Sequence, residues 1–349
     1  MPQRPVVDAG GLIFVSDIVS EARDADITSQ TREVLERLGT VLSEAGTDLA
    51  HAATVHVYVR RAADFAAMNE VYRTFWKSAQ PSRTTVVADL PGEALIAVSA
   101  VAVRRGVKRK VVTPAGWGAS PLPYSYAVRA GDVVFLSGLI ARDRETGQPV
   151  AGSVTDQLDL IVSNAREILD ATGLSLDQVV SARVFLPDAS TFLEMNDAWR
   201  THFGAAKPAR ATVIAGLMQP AYRIEVTLVA HAASVERFTA DPPSPNLSGV
   251  VRAGKLVSVS GMLAPGPGDI VTQTRDTLAR ARAALARAGA TPADVVETTV
   301  YLPDIGQASA MDAAYRETFR SAPPARVTIG AGLVAKDARI EISMSAVLK

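Results

Sequence analysis

The sequence predicts an α+β fold written three times over, β-β-α-β-α-β-β in each copy. The three sheets turn inward and the helices stay outside, as an intramolecular pseudo-trimer. Two observations predict it: three arginine-led strands at constant distance from three helix-ending glycines, and a strand–helix alternation repeating around them. The glycines are Gly46 in LSEAG, Gly173 in LDATG and Gly289 in LARAG. Each lies 37 residues before an arginine: Arg83 in PSR, Arg210 in PAR and Arg326 in PAR. MNEVY, MNDAW and MDAAY place Asn69, Asn196 and Asp312 at one offset, 23 residues past each glycine. Three such ungapped alignments are not expected by chance. A period of about 120 residues is a domain length, far longer than a solenoid repeat.

The elements follow in one order. A strand ends in serine: LIFVSD at Ser16, VVFLSG at Ser137, LVSVSG at Ser260. A long helix comes next. In the second copy Val154, Leu158, Ile161, Val162, Ala165 and Ile168 recur at helical spacing. Ser153 is placed to cap that helix and Gly173 to stop it. A β-branched strand follows, AATVHVYV, VVSARVFLP or VVETTVYLP. A second helix starts after the capping residues Asp188 and Asp304. Two strands close each copy; the arginine begins the first, and RIEVTLVAHA or RIEISMSAV forms the second. This divides the chain into repeats at 1–105, 121–233 and 245–349, joined by linkers 106–120 and 234–244 rich in Pro, Gly, Ser or charge. The basic run Arg104 to Lys110 reads as a solvated linker ahead of an RNA or membrane contact. A sheet covered by helices on one face has a second face to bury, and three copies in one chain bury it against each other.

Composition bounds the function. The 349 residues are 48% hydrophobic and 21% charged, which marks a folded chain. Net charge is zero, against a dedicated nucleic-acid binder. The chain has no cysteine, so no thiol nucleophile or thiolate metal site is expected. His51, His56, His202 and His231 show no metal-ligand spacing, and neither metal nor cofactor is expected. The start lacks a signal-peptide pattern and no apolar run reaches about 18 residues, so a soluble cytoplasmic protein without membrane partners is expected.

The arginines have two readings. Each caps carbonyls or pairs with a carboxylate between repeats, or each holds a substrate carboxylate in its planar fork. Glu225 and Glu341 lie 15 residues past Arg210 and Arg326, between aliphatic neighbours. Alternation points each one away from those neighbours, into solvent or into a site.

At this point the residues resemble a known family. PYSYAVRAGDVVFLSG (123–138), the glutamines Gln30, Gln157 and Gln273, FLEMNDAW (192–199), and PAR followed by IEV together resemble the Rid (YjgF-like) family across nearly the whole chain, three times. The resemblance implies a chorismate-mutase-like fold, trimeric assembly, and 2-imino acid/enamine deaminase activity in clefts between subunits. It implies that Arg210 and Arg326 bind a substrate carboxylate. Glu225 and Glu341 would position or activate water, Tyr124, Ser137 and Ser260 would line the clefts, and Asn196 would sit nearby. Hydrolysis of an electrophilic imine needs positioning and a modest general base. The products are a 2-oxo acid and ammonia.

The first repeat departs most. Its glutamate position falls on Ala97, and Asp17 replaces the glycine of Gly138 and Gly261. The tyrosine position, 13 before the serine, holds Tyr124, Leu247 and Gln3. Arg83 therefore reads as a degenerate site, and one or two clefts as competent. Which arginine Tyr124 meets is not fixed by the sequence. Other readings are a Rid-fold enzyme with different hydrolytic or ring-opening chemistry, a non-catalytic binder of small carboxylates, and, behind these, an endoribonuclease. A fused trimer needs no further assembly, so a monomer or loose dimer is expected, with a small carboxylate as partner.

Overall fold

The computed structural model describes residues 4–22, 24–320 and 322–349. The first repeat runs β1 (Val6–Ala9), β2 (Leu12–Val19), α1 (Ile27–Glu44), β3 (Ala52–Val59), α2 (Phe65–Phe75), β4 (Ser82–Val87) and β5 (Ile96–Val103). The second runs β6 (Arg109–Val112), β7 (Ala127–Ala130), β8 (Val133–Leu136), β9 (Leu139–Ile140), α3 (Val154–Asp170), β10 (Val179–Leu186), α4 (Phe192–Phe203), β11 (Ala209–Ile214) and β12 (Glu225–His231). The third runs β13 (Val235–Thr239), β14 (Ser248–Ala253), β15 (Leu256–Met262), α5 (Ile270–Arg287), β16 (Val295–Leu302), α6 (Ala308–Thr318), β17 (Ala325–Gly330), β18 (Gly332–Leu333) and β19 (Glu341–Val347).

Local chemistry sets these boundaries. Asp26, Ser153 and Asp269 cap the three long helices through their side chains. Past each helix, Gly46, Gly173 and Gly289 take φ of 79°, 74° and 77°, a left-handed turn that a Cβ would strain. Asp188 and Asp304 cap the short 3-10 turns that lead into α4 and α6. In each repeat the arginine strand runs parallel to the long central strand, β4 on β3, β11 on β10 and β17 on β16.

Two segments read as linkers carry sheet structure. β6 lies inside 106–120 and pairs antiparallel with β7; β13 lies inside 234–244 and pairs antiparallel with β14. Both are edge strands of mixed polarity, so their composition resembles that of a linker. The basic run is tied down: Arg104 pairs with Asp8, Arg105 with Asp48, and Arg109 caps the carbonyls of Ala52 and Ala79.

Each repeat has its own core between helices and sheet, as where Leu35, Leu38 and Leu42 of α1 meet Val55 and Val57 of β3. The other sheet face is shared. One apolar cluster joins Tyr58 and Val86 to Phe185 and Val213 and to Tyr301 and Ile329, one pair from each repeat. Beside it lies a narrow cleft lined from all three repeats. Here His56 on β3 and Arg183 on β10 occupy the positions that correspond to Thr299 on β16. Arg183 lies 3.6 Å from Glu297. Burial and the Arg183 charge hold His56 well below its ordinary pKa.

The contacts between repeats close into a ring. The backbone N–H of Arg83 donates to Ser137 Oγ at 2.9 Å, that of Arg210 to Ser260 Oγ at 2.8 Å, and that of Arg326 to Ser16 Oγ at 2.9 Å. Each hydroxyl in turn donates to a carbonyl of its own repeat, that of Ser125, Ser248 or Arg4. One hydroxyl thus satisfies two buried backbone groups at every interface. Removing it by Ser137→Ala or Ser260→Ala is expected to destabilise the chain by about 1–3 kcal/mol, read by urea denaturation. A loss no larger than that of an exposed serine would show that these bonds do not hold the interface.

Candidate active site

The ring brings each arginine to the following repeat. Arg83 faces Glu225, Gly138 and Tyr124, and Arg210 faces Glu341; the Arg326 strand meets Ser16 and Asp17 through the backbone N–H groups of Arg326 and Thr328. The sequence leaves open which glutamate meets which arginine; in the structure Glu225 lies with Arg83 and Glu341 with Arg210. A strand opening at an interface edge points its first side chain across that interface, so partners lie in different repeats.

Glu225 and Glu341 open their strands, nearly fully buried. Gln157 and Gln273 hold the loops just before them. Each donates to a loop carbonyl, Ala221 or Asp337, and accepts the N–H of Arg223 or Arg339. Each carboxylate then accepts a backbone N–H from the other repeat, Thr85 for Glu225 and Thr212 for Glu341. A Cβ at Gly138 or Gly261 would collide with the glutamate oxygen, which explains both glycines. Burial pushes each glutamate up to about 8; the threonine N–H and the facing arginine, Arg83 or Arg210, oppose it.

The three arginines meet different surroundings. Arg83 is 4% exposed. Among the described residues its guanidinium has no hydrogen-bond acceptor and no ion-pair partner, and Nη1 is fully enclosed. It lies 4.8 Å from the Tyr72 ring centroid, 5.6 Å from Tyr124 and 5.7 Å from Phe65. Aromatic faces stabilise a cation and leave its donors unused. Arg210 donates to Asn196 Oδ1 at 2.5 Å and lies 5.0 Å from the Trp199 centroid. Burial lowers its pKa to about 9 against the Glu341 charge. Arg326 is bridged to Asp312 at 2.7 Å, so its charge is met by its own repeat.

The third cleft shows an exchange. Glu becomes Ala97 and Gly becomes Asp17, on adjacent strands where Val19 pairs with Ala97. Asp17 Oδ2 accepts the Thr328 N–H at 3.1 Å, the position that Glu225 and Glu341 take toward Thr85 and Thr212. A carboxylate is thus retained in space although it moved in sequence.

Tyr124 and Glu225 share with Arg83 a cleft of about 450 Å³. Asn196 reaches Arg210, and Ser137 and Ser260 are committed to the interface bonds above. Arg83, read as degenerate, is the arginine of the cleft that also holds Glu225 and Tyr124. Gln3 lies outside the described residues. Sequence reasoning missed Thr85, Thr212 and Thr328, whose buried hydroxyls have no partner among the described residues. Their signal was present: each lies two residues past its arginine.

Comparisons of the sequence with known proteins agree on one family. The family model described as endoribonuclease L-PSP matches residues 3–104, 119–232 and 239–348. A RutC family protein of Pyrococcus horikoshii is 37% identical over 109 residues, 31% of this chain and 86% of that protein. The 2-iminobutanoate/2-iminopropanoate deaminase of Bos taurus is 33% identical over 122 residues, 35% of this chain and 89% of that enzyme. The crystal structure of RidA from an Antarctic Psychrobacter is 28% identical, covers 35% of this chain and 98% of its own, and has a TM-score of 0.33.

The two raised glutamates give stability a pH slope. From about pH 5 to 8 the folded chain keeps protons that the unfolded chain has released, so stability falls as pH rises through that window. Urea melts at pH 5 and pH 8 should show this fall, and the Glu225→Gln/Glu341→Gln double variant should flatten it. An unchanged slope in the double variant would assign it to other groups.

Proposed function

This chain belongs to the endoribonuclease L-PSP (Rid) family as three tandem copies, and on that premise we propose that it is a 2-imino acid/enamine deaminase acting mainly through the Arg83–Glu225–Tyr124 cleft. The closed ring of contacts is read as an intramolecular pseudo-trimer, sheets inside and helices outside. The reading rests above all on one observation: a buried guanidinium without hydrogen-bond acceptor or counter-ion among the described residues, caged by aromatic rings opposite a buried carboxylate. A buried unpaired charge is destabilising by several kcal/mol, and an anionic substrate offsets that cost. The deaminase names of relatives such as the Bos taurus enzyme support the chemistry.

In this reading Arg83 holds the substrate carboxylate, and the imine carbon lies toward Glu225. Glu225 takes a proton from water as its oxygen bonds to carbon. Glu225 passes that proton to the imine nitrogen to complete the carbinolamine, then takes the carbinolamine hydroxyl proton and delivers it to nitrogen as C=O forms and the C–N bond breaks, leaving a 2-oxo acid and ammonia. A carboxyl group with pKa near 8 suits both transfers at neutral pH. The second cleft has arginine and glutamate but Leu247 at the tyrosine position, and is the weaker site. The third, with Arg326 bridged to Asp312, is not a deaminase centre.

The test is imine hydrolysis with substrate generated in situ by an amino-acid oxidase. Arg83→Ala should lower kcat/KM by roughly 100-fold or more, Arg210→Ala less, and Arg326→Ala by about twofold at most. Glu225→Gln should remove a rise in kcat/KM through pH 8. Equal losses from all three arginines would refute the single-cleft reading.

A further inference from the structure

The Arg83 cleft continues into a second cavity. Both are open to solvent, with about 450 Å³ and 510 Å³ of free space including their mouths, and Tyr124, Gly138, Ile140 and Arg142 line both. Arg142 stands at their junction. Its backbone is fixed by bridging to Pro149, and the Ala141 carbonyl accepts the Val150 N–H at 2.8 Å. Its half-buried side chain donates from Nε to the Tyr222 hydroxyl at 3.4 Å, and no carboxylate pairs with it among the described residues. Burial works against its charge, but the Tyr222 hydrogen bond and the nearby Tyr124, Tyr222 and Tyr126 hydroxyls outweigh this and leave its pKa raised.

The neighbouring charges are already committed. Asp143 accepts from Glu145 N–H and from Thr146 N–H and Oγ1. Arg144 bridges Glu167 at 2.7 Å and lies over Trp117. At the aligned sequence position the other two repeats have no arginine. Four residues past the glycine position, the third repeat has Pro265 and the first has Glu21. The cleft that holds Arg83, Glu225 and Tyr124 is thus also the one with a second arginine. Tyr124 lies 5.6 Å, ring centroid to guanidinium, from Arg83 and lines both clefts together with Arg142.

We propose that this cleft selects 2-imino acids carrying a second, side-chain carboxylate, with Arg83 holding the α-carboxylate and Arg142 the distal one. A monocarboxylate occupies Arg83 and leaves Arg142 without a counter-ion; a dicarboxylate lying along Tyr124 neutralises both. Arg142 is then the specificity-determining residue. The proposal takes its imine chemistry from the deaminase reading, but the dicarboxylate site is testable by binding alone.

The experiment is calorimetric titration with two 2-oxo acids, 2-oxoglutarate and 2-oxobutyrate, as product mimics. The unmodified chain should bind 2-oxoglutarate about tenfold or more tightly than 2-oxobutyrate. Arg142→Met should bring the two within about twofold by weakening 2-oxoglutarate alone, and Arg142→Lys, which keeps the charge without the fork, should fall between. Arg83→Met should weaken both. Equal affinities in the unmodified chain, or a preference that survives Arg142→Met, would overturn the proposal; should that variant not fold, an undiminished preference in Arg142→Lys would do so. Hydrolysis of the two corresponding imines is then measured. A binding preference without hydrolysis of either imine sinks the deaminase reading and leaves the dicarboxylate site standing. Hydrolysis of both with no binding preference does the reverse.

Discussion

At every boundary between repeats a buried serine hydroxyl accepts the backbone N–H of an arginine and donates to a carbonyl on its own side. That bond fixes how far one arginine strand slides along its neighbour. Two residues on, the threonine N–H falls opposite a carboxylate of the next repeat, Glu225, Glu341 or Asp17. Arginine, serine, threonine and carboxylate are therefore placed by one register. None of the three clefts could form if the strands slipped by one residue, because alternation would turn every side chain to the opposite face.

Given that shared register, the clefts differ in how a buried guanidinium is stabilised. Desolvation disfavours the charge in the first two. Arg83 relies on aromatic faces and keeps its donors unused, Arg210 shares one with Asn196, and Arg326 is neutralised by Asp312. The single change from Asn196 to Asp312 at one helix position converts a polar neighbour into a counter-ion. The series runs from a charge open to a ligand to a charge already satisfied, on an almost unchanged backbone plan.

Much of this was legible in the sequence. The triplication showed because duplicated copies keep their spacings, and helices α1, α3 and α5 showed because periodicity and caps are local properties. The partners of Arg83 were not legible. Glu225 stands on a strand of another repeat, and no local pattern reports which sheet edges meet. Asp17 and Ala97 were both visible as departures, yet their compensation depends on β2 lying beside β5, a pairing across 80 positions. Arg142 drew no notice because it belongs to no repeated pattern; its position matters only where the loop after β9 meets Tyr222. Strands β6 and β13 were missed because short, polar edge strands share the composition of linkers.

Where the three sheets meet, equivalent positions hold His56, Arg183 and Thr299, and Arg183 lies beside Glu297. Three separate identical subunits could not build such a centre. Symmetry would write every substitution in triplicate, and three arginines would converge in one enclosed space with no counter-charge. Covalent joining removes that rule of inheritance. A mutation enters one copy, is judged once, and can be answered by a complementary mutation in another copy. The unlike residues at the centre record that freedom, and it is the same freedom that lets one cleft acquire an arginine while its neighbours carry proline and glutamate.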